Sequence, residues 1–483
     1  MAEADRLTIA GGTPGIVLLE RAGRAVADVV ADAWAGGPVL VLAGPGNNGG
    51  DGWVAARLLR EAGFRVTVGV LGDRAALHGD AAPAASRFDG VVVEARPQLV
   101  GETGMIVDGL FGAGVRLPLD ERAVALVEAI NRSAAPVVAI DLPSGVEGGG
   151  GTLDPVAVKA DATVTFFRLK PGHVLMPGRS HCGRVVLADI GIETAALEEI
   201  RPQTFLNRPA LWQDERPAPR LGGHKYHRGH AVIVSGPPDA TGAARLAAGA
   251  ALRVGAGLVT LASPMEAVAV NAGHLTAVMV READGPNGLA AFLGDRRLNA
   301  VVIGPGLGRG DRTRQMVEAA LDGERSVVID ADGLTSFEAE PERLFQAIAG
   351  AGGDAILTPH DGEFARLFSG IDASSRLERA RAAAKASGAV VLTKGADTIV
   401  ADPGGRAAIA DNAPPELATA GSGDVLAGLI GGLLAQGMPP FEAASAAVWI
   451  HGEAAYAVGA GLISEDIEGH VPTVLARLGR AAV

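Results

Sequence analysis

Cysteine is almost absent: Cys182 stands alone among 483 residues. No intrachain disulfide can form and no cysteine zinc cluster can be built, which fits a reducing compartment. Cys182 itself reads as a buried spectator. Long apolar runs are missing too. The most apolar stretch, Val425 to Leu434, is far too short to span a bilayer. It holds Gly428, Gly431 and Gly432, so it reads as a core helix packed closely against a neighbour. Positive charge is in deficit, with 42 Lys and Arg against 55 Asp and Glu and a net charge of -13. Such a chain repels nucleic acid and anionic membranes, which argues against either as a partner. The opening segment, MAEADRLTIAGGTPG, lacks the basic-then-apolar pattern of a signal peptide, so the expectation is a cytoplasmic protein. No fixed-period repeat is present, which argues against a solenoid.

Glycine is abundant, at 68 residues without a Gly-X-Y period. It clusters at turns, as short strand–helix connections require. Apolar residues make up 48% of the chain, enough for large cores. The length predicts two or three domains. Apolar strands alternate with amphipathic helices, the pattern of a parallel, doubly wound sheet. Val39 to Ala43, Val66 to Val70, Met105 to Asp108 and Val137 to Asp141 read as strands. The run RPQTFLNRPALWQDERPAPRLGGHKYHRG, from Arg201, interrupts the alternation. The expected layout is a first α/β domain over 1–207, a linker over 208–221 and a second α/β domain over 222–483.

Two glycine loops carry the chemistry. GPGNNGGDG, Gly44 to Gly52, and TAGSGDVLAG, Thr419 to Gly428, each follow a strand-like segment and open a helix. A helix start offers free N–H groups and the positive end of a dipole, which suits anions. In the first loop, Gly44 to Gly49 matches G-x-G-x-x-G, which alone is weak evidence for a dinucleotide site. Asp51, expected at the helix start, argues against a pyrophosphate there. Ligands of such sheets bind beyond the strand C-termini. The first loop, Asp108 and Asp141 should therefore meet. In the second loop the amides of Gly421 to Gly423 can cradle a phosphate, while Asp424 is better suited to take a proton from a hydroxyl.

The order GPGNNGGDG, VDGLFGAGVRLP (Val107 to Pro118) and AIDLPSG (Ala139 to Gly145) resembles the NAD(P)H-hydrate epimerase family, as does the opening PGIVLLERAGRAVA. The resemblance implies a Rossmann-like three-layer domain that interconverts the R and S epimers of hydrated NADH or NADPH. It implies that Asn47, Asn48, Gly49, Gly50 and Asp51 line the substrate together with Gly112, Ala113, Gly114, Val115, Arg116, Leu117 and Pro118. It places Asp141 at the reacting nicotinamide and a potassium ion on Asn48, Asp108 and Ser144, all oxygen donors. Epimerisation next to a ring nitrogen can proceed by losing and regaining water, with Asp141 expected to shuttle the proton.

From Gly222 onward, HKYHRGHAVIVSG, GAALRVGAGLVTLA, IGPGLG, DADGL, TPHDGE, LTKGADTIV and ATAGSGDVLAG resemble the ADP-dependent NAD(P)H-hydrate dehydratases of the ribokinase-like superfamily. The resemblance implies that Asp424 activates the C6 hydroxyl of the S epimer for attack on the terminal phosphate of ADP, with Mg²⁺ beside the phosphates. Lys394, Gly395, Ala396, Asp397, Thr398 and Gly423 would bind the nucleotide; Ala243, Gly308, His360 and Asp424 would face the hydrated coenzyme. Asp361 departs from the small neutral residue expected after the histidine. A homo-oligomer is expected. The residues alone leave open a small-molecule kinase with an N-terminal regulatory domain, an NAD(P) oxidoreductase, and a non-catalytic first half.

Overall fold

A computed structural model describes residues 1–34, 36–218 and 222–480. The chain divides into two compact units, Met1–Pro202 and Gln203–Val483.

The first unit is built on seven parallel strands: β1 (Pro38–Ala43), β2 (Arg65–Val70), β3 (Val91–Glu94), β4 (Met105–Gly109), β5 (Val137–Ile140), β6 (Ala162–Phe166) and β7 (Arg184–Ala188), in the order β3-β2-β1-β4-β5-β6-β7. Alternate residues of β1 enter different cores. Val39, Val41 and Ala43 pack with the helices Gly15–Ala33 and Asn47–Glu61, and Leu40 and Leu42 with the helix Glu121–Arg132. This period of two, apolar on both faces, is what a sheet covered on both sides demands. The strand order reverses direction between β1 and β4, which opens a crevice at their C-terminal ends.

The second sheet has ten strands: β8 (Thr204–Leu206), β9 (His230–Val234), β10 (Leu258–Ser263), β11 (Met279–Glu282), β12 (Ala300–Ile303), β13 (Ser326–Ile329), β14 (Ala355–Leu357), β15 (Val390–Thr393), β16 (Ile399–Ala401) and β17 (Ala407–Ile409). Its order is β11-β10-β9-β12-β13-β14-β15-β16-β17-β8. β9 to β15 pair in parallel, β16 runs antiparallel to both β15 and β17, and β8 lies parallel to β17. Here the order reverses between β9 and β12. The stretch Val425 to Leu434 is indeed a core helix, within Ser422–Ala435: a Cβ on Gly428 would fall on the Ala247 carbonyl of the neighbouring helix Gly242–Val254. Among the described residues no helix is long and apolar enough to cross a membrane.

Two expectations change. The division falls after Pro202 rather than at 207, because Thr204–Leu206 pairs with β17 and belongs to the second sheet. Much of the expected linker is also folded into that unit. Trp212 is fully buried in its core and donates its indole N–H to Asn207. Apolar burial overrides the proline- and arginine-rich composition there. Residues 219–221 of that linker lie outside the described residues.

Candidate active sites

At the first crevice, Gly44 and Gly49 allow the loop after β1 to seat against β4. A Cβ on Gly44 would fall on the Leu110 carbonyl, and one on Gly49 would fall on the Gly44 carbonyl. The helix begins at Asn47, so Asp51 lies a full turn inside it and is buried, not at its tip as the sequence implies. The asparagine–glycine run reads as loop because those residues are weak helix formers; close packing outweighs that preference. Gly49 and Gly50 are closely packed, Gly50 against Leu19 and Ala81, and neither is among the residues that line the cavity beside them.

A cavity of about 490 Å³ opens here, lined by Asn47, Asn48, Asp51, Gly112, Ala113, Gly114, Val115 and Asp141 together with Asp5, Asp80 and Lys170. Of the remaining expected residues, Arg116, Leu117 and Pro118 continue the loop beyond that lining. Asp5, on the helix Ala2–Ala10, and Lys170, after β6, carry no signal in the motif blocks.

Asp141 adopts the left-handed conformation, with φ of 64°, uncommon for a residue with a side chain. Its neighbours fix it there. The Lys170 Nζ donates to Asp141 Oδ1 at 2.6 Å, Thr165 Oγ1 donates to the same oxygen at 3.0 Å, and the Ala113 N–H donates to Oδ2 at 2.9 Å. His173 Nε2 lies 2.7 Å from the Asp141 carbonyl oxygen. Burial alone would raise the Asp141 carboxyl, but the Lys170 ammonium, with the Ala113 N–H and His173, outweighs it and holds the group below its ordinary value. Asp51 is the opposite case. Burial, then the neighbouring Asp141 and Asp5, push its carboxyl well above the usual range. Two carboxyls of one cavity are thus pushed in opposite directions by their surroundings, an arrangement typical of acid–base pairs.

Asp108 and Ser144 also meet. Ser144 donates both its hydroxyl, at 2.7 Å, and its N–H, at 2.8 Å, to the Asp108 carboxylate. Asp108 is fully buried, and among the described residues no cationic side chain pairs with it. Burial pushes its carboxyl up against those hydrogen bonds. Asn48 Nδ2 is buried without a hydrogen-bond partner, and an amide can present either its nitrogen or its oxygen. A buried, unneutralised carboxylate with an orphaned amide and a hydroxyl fits a hard monovalent cation.

At the second crevice the loops after β9 and β12 press together: a Cβ on Gly236 would fall on the Gly306 carbonyl. Gly421, with φ of 85°, caps the helix Ser422–Ala435 in a conformation that favours glycine. Its first-turn amides lack intrahelical acceptors. Lys394, at the end of β15, stands before them. Its Nζ donates to Asp330 Oδ1 at 2.7 Å and lies 3.4 Å from where a Gly423 Cβ would sit. Burial disfavours the Lys394 charge, but Asp330, Glu363 and Asp424 outweigh it and raise the group, so it remains cationic. Burial and then Asp330 push the Asp424 carboxyl up to about 6, against the pull of Lys394. That suits a general base working near neutrality.

The other expected residues divide. Gly308, whose N–H donates to Asp332 at 2.9 Å, and Ala243, in the first turn of Gly242–Val254, belong to the connections after β12 and β9. His360 caps the helix Asp361–Leu367, accepting at Nδ1 from Gly362 N–H at 3.0 Å, and leaves its ring half exposed. Gly395, Ala396 and Thr398 form the turn between β15 and β16, closed by Thr398 Oγ1 on the Gly395 carbonyl. Asp397 is fully buried and ion-paired with Arg376. The same arginine lies 3.5 Å from Asp361, which offsets that unexpected charge.

A carboxylate–lysine site on a Rossmann-like unit and an aspartate at a phosphate-cradling helix start on a ribokinase-like unit define a two-site α/β enzyme. Comparisons with known proteins resolve the class further. Residues 15–172 match the family model described as YjeF-related protein N-terminus, and residues 231–462 match that of NAD(P)H-hydrate dehydratase. The chain is 36% identical to the bifunctional NAD(P)H-hydrate repair enzyme Nnr of Salinibacter ruber, over 99% of this chain and 95% of that protein. It is 34% identical to the enzyme of that name from Coxiella burnetii, over 97% and 96%. A crystal structure of the ADP/ATP-dependent NAD(P)H-hydrate dehydratase of Bacillus subtilis, co-crystallised with ATP/Mg²⁺, aligns with a TM-score of 0.50 at 27% identity, covering 57% of this chain and 98% of that one. The chain belongs to the bifunctional NAD(P)H-hydrate repair enzyme family.

Proposed function

We propose that the first unit interconverts the epimers of hydrated NADH and NADPH, and that the second dehydrates the S epimer with ADP as phosphoryl donor. The observation that carries the first half is the cavity bearing Asp5, Asp51, Asp80 and Asp141 against Lys170, the one basic side chain among the described residues that line it. Such a site repels phosphates and favours a group that becomes positive. Loss of the C6 hydroxyl creates that group, a ring iminium. Asp51 gives a proton to the departing oxygen, the C6–O bond breaks, and the N1 lone pair closes the N1–C6 double bond. Water then adds to the other face, the electron pair returns to N1, and the released proton returns to Asp51. In this reading Asp141, beside the Lys170 ammonium, faces the cation, and Asp51 takes the proton-carrying part that the sequence expectation gave to Asp141. A potassium ion on Asn48, Asp108 and Ser144 would neutralise Asp108 and tie the loop after β4 to that after β5.

In the second unit Asp424 takes the proton of the C6 hydroxyl, whose oxygen attacks the terminal phosphate of ADP as AMP leaves. The phosphorylated oxygen departs as inorganic phosphate while the N1 lone pair closes an N1–C6 double bond, and loss of a C5 proton then returns that pair to N1 and forms the C5–C6 double bond of the dihydropyridine. Lys394 and the amides of Gly423 and Asp424 hold the phosphates, with Mg²⁺ adding charge neutralisation when bound. A cytoplasmic, homo-oligomeric enzyme fits this metabolite chemistry. Two variants test the reading: Asp141→Asn stops epimer exchange but not dehydration of pure S epimer, and Asp424→Asn does the reverse. If either substitution stopped both reactions equally in folded protein, the two-site assignment would fail.

A further inference from the structure

We propose that Lys170 is a positioning residue of the epimerase site, fixing Asp141 as the carboxylate that faces the planar ring cation. The inference rests on the epimerase reading above and adds a role for a residue outside every motif block.

The geometry is a closed cage. Lys170 Nζ has three protons and three acceptors in reach: Asp141 Oδ1 at 2.6 Å, Thr165 Oγ1 at 2.8 Å and the Phe166 carbonyl at 3.3 Å. The lysine is 8% exposed, so its ammonium is engaged with protein rather than water. Thr165 donates its own proton to the same Asp141 oxygen. That oxygen is therefore taken, and the Ala113 N–H orients the other. One lone-pair direction of Oδ2 remains for the cavity. Lys170 is further tied through its own N–H, which donates to His173 Nδ1 at 2.9 Å, while His173 Nε2 meets the Asp141 carbonyl at 2.7 Å. Lysine, histidine and aspartate thus form one buried loop of contacts, and the aspartate is its only member with an oxygen aimed at the cavity loop Gly112–Val115.

The charged and titratable groups around Asp141 are Lys170, His173, Asp51, Asp5 and Asp80. Among them Lys170 is the main counterweight to burial and to the acidic neighbours. Without it, only the Ala113 N–H and His173 still oppose burial and the acidic neighbours, which favour a protonated Asp141. Activity that needs an ionised Asp141 would then be lost on the acid side first.

The test uses the full chain. Lys170→Met is compared with wild type for epimer exchange between pH 5 and 9, with ADP-dependent dehydration of pure S epimer as the control for folded protein. The expected result is a fall in epimerisation kcat of about 100-fold at neutral pH, the scale of a lost electrostatic group. KM should be little changed, and the acid limb of kcat should move up by a pH unit or more. Lys170→Arg, which keeps the charge, should leave the acid limb near its wild-type position. Should Lys170→Met fail to fold, Thr165→Val opens the same cage and should shift the limb in the same direction by less. An unshifted acid limb in these uncaging variants, whatever the rate, would overturn the proposal. Absence of epimerisation by the wild-type chain would instead overturn the reading of the site.

Discussion

Lys394 is bonded to Asp330 across 2.7 Å and stands where the first turn of the helix bearing Asp424 opens. The base, its tuning carboxylate and the phosphate-binding cation are thus brought together from the connections that follow β17, β13 and β15. The Asp424 carboxyl, raised to about 6, must be ionised to accept a proton. Dehydration should therefore fall as pH drops through about 6. Asp330→Asn removes the repelling charge and leaves Lys394 to Asp424, and both effects favour the carboxylate. The acid limb of dehydratase kcat should move to lower pH, read directly from a pH–rate profile.

Gly112 separates two functional side chains. A Cβ there would stand 2.8 Å from Asn48 Oδ1 and 3.0 Å from Asp141 Oδ2. Gly112→Ala should lower epimerisation by at least about tenfold, since a small misplacement of reacting groups is costly. Dehydration of pure S epimer should be unchanged, and a side-by-side rate assay checks both.

Potassium should matter to one activity only. Replacing it with a large organic cation is expected to slow epimerisation and leave the phosphoryl step to its magnesium requirement. Asp108→Asn removes the buried carboxylate and should abolish the potassium response. The measurement is epimer exchange rate against potassium concentration in wild type and variant.

Arg376 pairs with the fully buried Asp397. Arg376→Met should destabilise the second unit by about 3 kcal/mol, the lower end for breaking a buried ion pair. It should also free Asp361 to repel the nucleotide and raise KM for ADP. Denaturant unfolding and steady-state kinetics report the two effects separately.

The strands that carry Asp108, Asp141, Asp330 and Lys394 were legible because each ends a continuous apolar run, the pattern of a strand buried on both faces. Strand order was not legible, and Lys170 depends on it. Only because β6 lies beside β5 does a residue 29 positions later reach Asp141. A compositional signal was present: lysine occurs five times in the chain, at 159, 170, 225, 385 and 394, and two of those five stand at the two sites, Lys170 buried and Lys394 partly buried. The short strand β8 and the buried Trp212 were hidden by a proline-rich context, since what fixes them is a partner about 200 residues away. Asp51 was placed at a helix tip because glycine and asparagine read as loop; tight packing against the end of β4 starts the helix earlier.

The central claim is that one chain recovers both epimers at two separate sites. The direct test mixes the wild-type protein with both epimers of hydrated NADH, potassium, magnesium and ADP, and follows absorbance of the reduced nicotinamide. Two sites on one chain give one uninterrupted recovery of the whole pool, and in Asp141→Asn a recovery of the S fraction followed by a slow phase at the spontaneous epimerisation rate. A wild-type curve that stops at the S fraction and then creeps at that spontaneous rate would contradict it.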